Sequence, residues 1–374
     1  MRLGDVMDIQ LGKMLSPAAK VGTTPKPYLR NANVQWGRFD LADVALMDFN
    51  DREQAKFRLR RGDLLVCEGG EPGRAAVWGD KVPEAYYQKA LHRLRPKLGD
   101  VDPHFMMYRL WLGAQSSEFG ESRAKTTIAH LPAVRLQELR IALPPLPEQR
   151  RIVAHLTGQF AVVERVRKAA KERIDACGEA TWAILRSSLS SASQHATLGD
   201  CLDEVSSGIG SGWREYPVLG ATRLGLAPAK EAVGRYPERY KLVLPGTVFY
   251  NPMRILLGSI AMVDDGESAG ITSPDYVVVR PRDGILHHRW FYYWLRSPLG
   301  ADFIKKLARG AVRERILFGR LAGGRISIPP WSAQEIAVRS LRQLSVVRTA
   351  AEAELAAIQA LPAVLLREAL SGAQ

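Results

Sequence analysis

Cysteine is scarce. Cys67, Cys177 and Cys201 are the only three in 374 residues, and their spacing pairs none of them. That excludes a zinc ribbon or a disulfide framework and fits a reducing compartment. The N-terminus, Met1-Arg2-Leu3-Gly4-Asp5, lacks the apolar run of a signal peptide. No apolar stretch is expected to reach membrane-spanning length, so the expectation is a cytoplasmic protein with no membrane partner. Histidine is sparse too, at seven. His287 and His288 are adjacent without a carboxylate or Cys at ligand spacing, which favours a surface pair over a metal site. His130 and His155 stand alone, and no Ser/His/Asp arrangement can be built, so neither catalytic residues nor metal ligands are expected. The Gly-rich stretch Ser206 to Gly212 is not followed by the Lys-Ser/Thr of a nucleotide-binding loop. It reads as a flexible loop, with contact to a phosphate backbone as the alternative.

Negative charge is outnumbered. Lys and Arg total 52 against 39 Asp and Glu, a net charge of +13. That excess points to a polyanion, most simply nucleic acid. Two segments with a helical pattern, 144–191 and 329–374, together hold only twelve of the basic and nine of the acidic residues. Most of the excess therefore lies elsewhere.

The chain is written twice. Leu143-Pro144-Pro145-Leu146-Pro147-Glu148-Gln149 returns as Ile328-Pro329-Pro330-Trp331-Ser332-Ala333-Gln334, 185 residues later. Each copy opens a long apolar stripe at steps of three and four. The first runs through Ile152, Leu156, Phe160, Val163, Ala170, Ile174, Cys177, Thr181, Ile184 and Leu189. The second runs through Ala337, Leu341, Leu344, Val347, Ala351, Leu355, Ile358, Leu361, Leu365 and Leu370. Such a stripe predicts a helix with a narrow seam, and Pro suits its first turn. The ends match at an offset of 181, so the second helix is about one turn shorter, and Pro362 should kink it. The segments before the helices repeat as well. Arg61 to Val66 answers to Pro245 to Tyr250, Gly73 to Trp78 to Gly258 to Val263, and Leu91 to Pro96 to Tyr276 to Pro281, each a predicted strand.

The reading is α+β: two mixed α/β domains, 1–143 and 192–328, separated by spacer helices 144–191 and 329–374. A helix of forty residues is roughly 60 Å long, more than a domain core requires. If the two pair antiparallel as a coiled-coil spacer, a pseudo-two-fold axis relates the repeats. Two basic domains held apart predict a split target, two short sequences with an unread gap of under two helical turns.

The Pro-Pro-Leu-Pro-Glu-Gln run at 144–149, leading into a long helix, resembles the spacer of the specificity subunits of type I restriction–modification systems. Leu65-Val66-Cys67-Glu68-Gly69-Gly70-Glu71-Pro72-Gly73-Arg74 with Tyr87 to Arg93 is similar to one class of target-recognition domain in that family. Tyr250-Asn251-Pro252-Met253-Arg254 with Gly258-Ser259-Ile260 resembles another. The likeness covers essentially the whole chain. It implies a double-stranded-DNA-reading subunit that is not itself an enzyme and holds no cofactor. The partners implied are two adenine-methyltransferase subunits, which bind S-adenosylmethionine, with a motor-nuclease subunit left open. On that likeness Pro145, Glu148, Gln149, Ile152, Leu156, Pro330, Gln334 and Leu341 are the spacer and partner-binding residues. The second spacer departs from the pattern: Ala333 replaces Glu148, and Trp331-Ser332 replaces Leu146-Pro147.

Because the family reads bases from loops, basic and polar residues at predicted turns are the DNA-binding candidates. Arg123, Lys125, Thr126 and Thr127 form one cluster. Arg309, Gly310, Arg313, Arg315 and Arg320 form its repeat partner, and Arg74, Lys89 and Arg254 stand beside Gly turns. Two other classes compete. Asn251-Pro252 is the only support for a self-contained adenine methyltransferase, and Met253-Arg254 breaks that motif; it reads as a strand-end turn. A coiled-coil scaffold with incidental basic charge is the third reading.

Overall fold

The computed structural model describes residues 1–16, 24–116, 119, 130–192, 194–230, 233–308 and 315–371. They divide into two compact units. Unit 1 is Met1–Ala169 with Glu354–Gln374, and unit 2 is Ala170–Ala353.

Unit 1 is built on an antiparallel sheet of β1 (Met7–Leu11), β2 (Leu64–Cys67), β3 (Ala75–Val77) and β4 (Leu91–Pro96), in the order β1-β4-β2-β3. β2 is central, and its unbroken Leu-Leu-Val-Cys run is buried throughout, as a strand covered on both faces requires. Unit 2 repeats the sheet with β5 (Leu202–Glu204), β6 (Val248–Tyr250), β7 (Ile260–Met262) and β8 (Val277–Pro281), in the matching order β5-β8-β6-β7. Leu64 faces Leu94 and Val77; Val248 faces Val279 and Met262. The register is therefore the same. The turn feeding each central strand holds Gly62 at φ +89° and Gly246 at φ +85°, a left-handed conformation that glycine adopts without a Cβ penalty.

The segments between the first two sheet strands differ. Residues 12–63 of unit 1 carry the strands Pro25–Leu29 and Ala45–Asp48, which form a second sheet with Tyr86–Tyr87 from further along the chain, a hairpin Val34–Gln35/Arg38–Phe39, and a helix Asp51–Phe57. Residues 205–247 of unit 2 carry a hairpin Leu219–Thr222/Gly225–Pro228 and the strand Lys241–Val243, which pairs Gly270–Thr272. Each of these layers has its own small core. In unit 1, Trp36 of the hairpin stacks on Trp111 at 5.0 Å, and Trp111 on Phe160 at 4.8 Å.

A helix follows each sheet: α1 (Pro103–Gln115) in unit 1 and, past α2 (Leu146–Ser190), α3 (His288–Arg296) in unit 2. Asp102 caps α1, its carboxylate accepting from the His104 N–H at 2.8 Å, with Pro103 in the first turn. The second spacer segment is α4 (Trp331–Ile358) and α5 (Leu361–Ser371), parted at Gln359-Ala360. The expected kink is thus a break, and Pro362 sits in the first turn of the new helix, where its missing N–H leaves no bond unmade. In unit 1, Ile152 and Leu156 of α2 share a core with Leu366 and Leu370 of α5. In unit 2, Leu185 of α2 shares a core with Ala337, Val338 and Leu341 of α4. In both units the start of one helix lies with the end of the other, which is antiparallel pairing.

Three details of the stripes differ from expectation. Leu185, not Ile184, is the fully buried residue late in α2; Val347 and Leu361 are exposed. The drift is that of an undistorted 3.6-residue helix against a strict heptad. The expectation that no apolar stretch reaches membrane-spanning length also fails. Trp331–Ser371 contains an 18-residue window of mean hydropathy 1.3, long and apolar enough by composition. Alanine and leucine raise that figure, and the stretch is interrupted at the α4–α5 break.

One polar contact is made twice. Gln149 and Gln334 are fully buried near the starts of α2 and α4. Oε1 of Gln149 accepts the Asp102 N–H at 2.8 Å, and its Nε2 donates to the carbonyls of Asp100 and Pro144, both at 2.8 Å. Oε1 of Gln334 accepts the His287 N–H at 2.8 Å, and its Nε2 donates to Ile285 and Pro329, both at 2.9 Å. All four pairs of residues are 185 apart. One amide thus holds the N-terminal end of α1 or α3 against a long helix. Gln149→Ala leaves three backbone groups unpaired and should lower unit 1's stability by at least about 2 kcal/mol in urea unfolding. Gln149→Glu should do no better, because a carboxylate has no protons for two carbonyls. An unchanged midpoint for both variants would remove the clamp from the account.

Candidate nucleic-acid interface

The turn after each central strand holds one sequence candidate, Arg74 in unit 1 and Arg254 in unit 2. In unit 1 it spans Glu68 to Arg74. The Leu131 N–H donates to the Glu68 carbonyl at 2.7 Å, and His130 bridges Gly69. His92, on β4, is fully buried, and burial lowers its pKa, so the ring is held neutral. Its Nε2 lies 2.9 Å from the Leu131 carbonyl, to which it donates as the Nε2–H tautomer. In unit 2 the matching turn spans Asn251 to Gly258, and the Ile316 N–H donates to the Pro252 carbonyl at 3.1 Å. The same device therefore seats a late segment of each unit on the same turn.

Arg254 and Arg315 are exposed around the unit 2 turn, and Arg320 is exposed on the short helix Phe318–Ala322. None of the three has an ion-pair partner among the described residues. Lys89 is exposed beside the unit 1 turn, next to Ala90, whose carbonyl accepts the Glu68 N–H at 3.0 Å. Arg123, Lys125, Thr126, Thr127, Arg309, Gly310 and Arg313 lie outside the described residues.

Arg74 is a correction. Its guanidinium is mostly buried and already committed, Nη1 to the Glu71 carboxylate at 3.0 Å and Nη2 to the Asn31 carbonyl at 3.1 Å. Glu71 in turn accepts from Trp36 Nε1 at 2.7 Å. Arg74 therefore fastens the 34–39 hairpin to the turn and is not free to pair with a base. Gln149 and Gln334 are a second correction: both amides are used up inside their units and cannot face a partner. Pro145 and Pro330 are exposed and Glu148 is half-buried; Glu148 pairs with Arg151 at 2.7 Å, which holds its carboxyl below the usual range.

Asn251 is a strand-end turn, its side-chain oxygen accepting the Met253 N–H at 3.0 Å. The histidine pair is not the expected surface pair. His287 and His288 are half-buried; His287 stacks on Trp331 at 5.5 Å and caps α3, its Nδ1 accepting the Arg289 N–H at 3.2 Å. His288 also has Asp264 and Asp265 within metal-ligand reach of one another. Arg289 pairs with Asp264, and Arg342 with Asp265, so cationic side chains already neutralise that cluster. Sequence reading missed it because the five residues come from three separate segments. The thiols are no more available: burial pushes Cys67 up to about 11 and raises Cys201 as well.

Residues 1–170 match the family model of the type I restriction modification DNA specificity domain. A protein of Methanocaldococcus jannaschii, provisionally named type I restriction enzyme MjaX specificity subunit, is 26% identical over 137 residues, 35% of this chain and 32% of that protein. The aligned part is thus about a third of that relative's length. The fold extends the likeness to the second half. A solved chain of a type I R-M system superposes with a TM-score of 0.63 at 17% identity, covering 99% of this chain and 96% of that one. The S subunit of a type I restriction-modification system from M. genitalium gives 0.53 at 15%, covering 99% and 95%. Residues 1–170 are thus similar to a type I DNA specificity domain, and the whole chain shares the fold of these solved chains. In this chain the second sheet repeats the register of the first in the half that the family model does not reach.

Two results test the placement of these side chains. Arg74→Ala should lower the melting temperature of unit 1, whereas Arg254→Ala should leave that of unit 2 unchanged; the reverse pattern would restore Arg74 as a reader. The second concerns pH. Burial, then the neighbouring His288, lowers the His287 pKa from 6.5 to about 4. The folded state therefore binds this proton later than the unfolded chain does. The resulting stability is whole above pH 6.5 and is lost as pH falls from 6.5 towards 4. Melting curves across that window should show a fall that His287→Asn, which keeps a capping oxygen, reduces. Parallel pH profiles for the two proteins would contradict the capping role.

Proposed function

We propose that this chain is a type I specificity subunit that reads a two-part sequence in double-stranded DNA, one half per unit, and performs no chemistry itself. It directs partner adenine-methyltransferase subunits, which carry S-adenosylmethionine, to that site in the cytoplasm, with a motor-nuclease subunit joining where cleavage occurs. One observation carries the reading: a single sheet-and-turn frame is built twice in one register, while the segments laid on it, 12–63 and 205–247, differ in length and in their strands. A scaffold has no use for two divergent loop sets on one frame. Two readers with different targets do. Unpaired arginines at the unit 2 turn support contact with phosphates and guanines.

The domain boundaries follow the same proposal: recognition domains 1–143 and 192–328, spacers 144–191 and 329–374. Met253-Arg254 in an Asx turn gives no support to a self-contained methyltransferase. The test is a map of modified adenines in cells that hold this chain and its partner subunit. Replacing residues 1–143 by the corresponding domain of another family member should change one half of the target and spare the other. Adding one turn to α2 and to α4, about 5.4 Å each, should widen the gap by about one or two base pairs. A gap that ignores the insertion, or a swap that alters both halves, would refute the proposal.

A further inference from the structure

The unit 2 turn carries something the unit 1 turn does not. Met253 and Leu257 project from it, 70% and 69% exposed, and Leu317 beside it is 51% exposed. The hydrogen bond from Ile316 to the Pro252 carbonyl, 3.1 Å, brings together the two segments that carry Leu317 and Met253, each the next residue along. Their footing is firm: Ile255 and Pro252 are buried, and Gly258 at φ +81° closes the turn. The corresponding turn of unit 1 offers Glu68, Gly69, Gly70 and Glu71, with no large apolar side chain. Three exposed apolar tips on an anchored turn are a cost in water unless something covers them.

The surroundings choose the cover. Arg254 and Arg315 flank the tips, both exposed and without an ion pair among the described residues. No Asp or Glu occurs in 251–263 or in 315–325. Apolar points among unpaired cations suit a surface that is anionic at its edge and apolar in patches. Duplex DNA is such a surface, since phosphates line the groove and the 5-methyl group of thymine stands in the major groove. We propose that Met253, Leu257 and Leu317 read thymine methyl groups in the half-site taken by unit 2, with Arg254 and Arg315 on neighbouring phosphates or guanines. This deepens, and rests on, the DNA-reading function above. It makes the two halves chemically unlike: apolar contact contributes to recognition by unit 2 and not at the matching turn of unit 1.

Deoxyuridine tests it without touching the protein, because it lacks only the methyl. The chain assembled with its methyltransferase partner is titrated by fluorescence anisotropy against its mapped target, with thymines replaced in one half at a time. Replacement in the unit 2 half should weaken binding about fourfold per contacted methyl. Replacement in the unit 1 half should not be felt at this turn. The triple variant Met253→Ala, Leu257→Ala, Leu317→Ala should bind the thymine and deoxyuridine duplexes alike. Equal affinity of the wild-type complex for both duplexes would overturn the proposal and leave DNA reading intact. So would a variant that still discriminates the duplexes but no longer holds its partner subunit, which would make the patch a protein-docking surface. Absence of any sequence-specific binding by the wild-type complex would instead remove the function on which the proposal rests.

Discussion

A single buried amide decides how each domain meets its helix. At the start of a long helix the chain turns sharply, and the backbone groups there have no helical partners. The segment entering α1 or α3 meets the same shortage. Glutamine settles both at once: one oxygen accepts an N–H from the entering segment, and two protons go to carbonyls on either side. Asparagine is too short to span the same atoms from the same backbone, and glutamate has no protons to give. The prolines just ahead fix the approach of the chain, so the amide always finds the same three atoms. That requirement explains why Gln149 and Gln334 agree while Glu148 and Ala333, one residue earlier, do not. The position that faces inward admits one chemistry; the one that faces outward admits many.

The duplication was legible in the sequence because covalent spacing survives divergence. Strand pairs such as Leu64/Leu94 and Val248/Val279 keep their separation to within one residue even where no residue is shared, and prolines and left-handed glycines mark the same corners. The long helices were legible from their stripe. What escaped is whatever depends on a partner distant in sequence. Arg74 beside a glycine turn looks like a free cation until Glu71 and the Asn31 carbonyl are placed around it. Gln149 looks like part of a surface signature until it is seen to be enclosed. Leu185 against Ile184 is a question of helical phase, and forty residues of drift are enough to choose wrongly. Most of the DNA-facing candidates fall on segments outside the described residues, so Arg254, Arg315, Arg320 and Lys89 bear what the geometry says of that surface.

Position 111 of unit 1 and position 296 of unit 2 show how a frame tolerates new loops. Trp111 stacks on Trp36 and so holds the 34–39 hairpin against α1. Arg296 stands 185 residues later and does the same work by charge. Its guanidinium donates to the carbonyl of Arg223, in the hairpin, at 2.7 Å and to Ile260, in the sheet, at 2.8 Å. Of the rings stacked with the tryptophan, Phe160 corresponds to Ser345, whereas Tyr108 is kept as Tyr293. Where the ring would lie, unit 2 has a groove of about 320 Å³ that includes Tyr293, Arg296, Ser345 and Cys177. Hairpin and frame thus changed together at one contact, and the sheet beneath kept its register.

The helices also set the order in which the units can close. Unit 2 is one continuous piece, Ala170–Ala353, and all of its core comes from it. Unit 1 needs Leu366 and Leu370, so its core is incomplete until nearly the whole chain exists. Closing so long a loop costs entropy that grows only slowly with its length, by about 0.6 kcal/mol per doubling. The burden is therefore less in stability than in time: before α5 arrives, Ile152 and Leu156 have an uncovered apolar face. The Gln149 clamp does not wait. Its partners, Asp100, Asp102 and Pro144, all precede it, so the start of α2 is already fixed on the domain, with its face presented, when the last helix comes to cover it. A local polar contact of this kind is what a discontinuous unit requires, because it sets the geometry of a core whose final residues are made last.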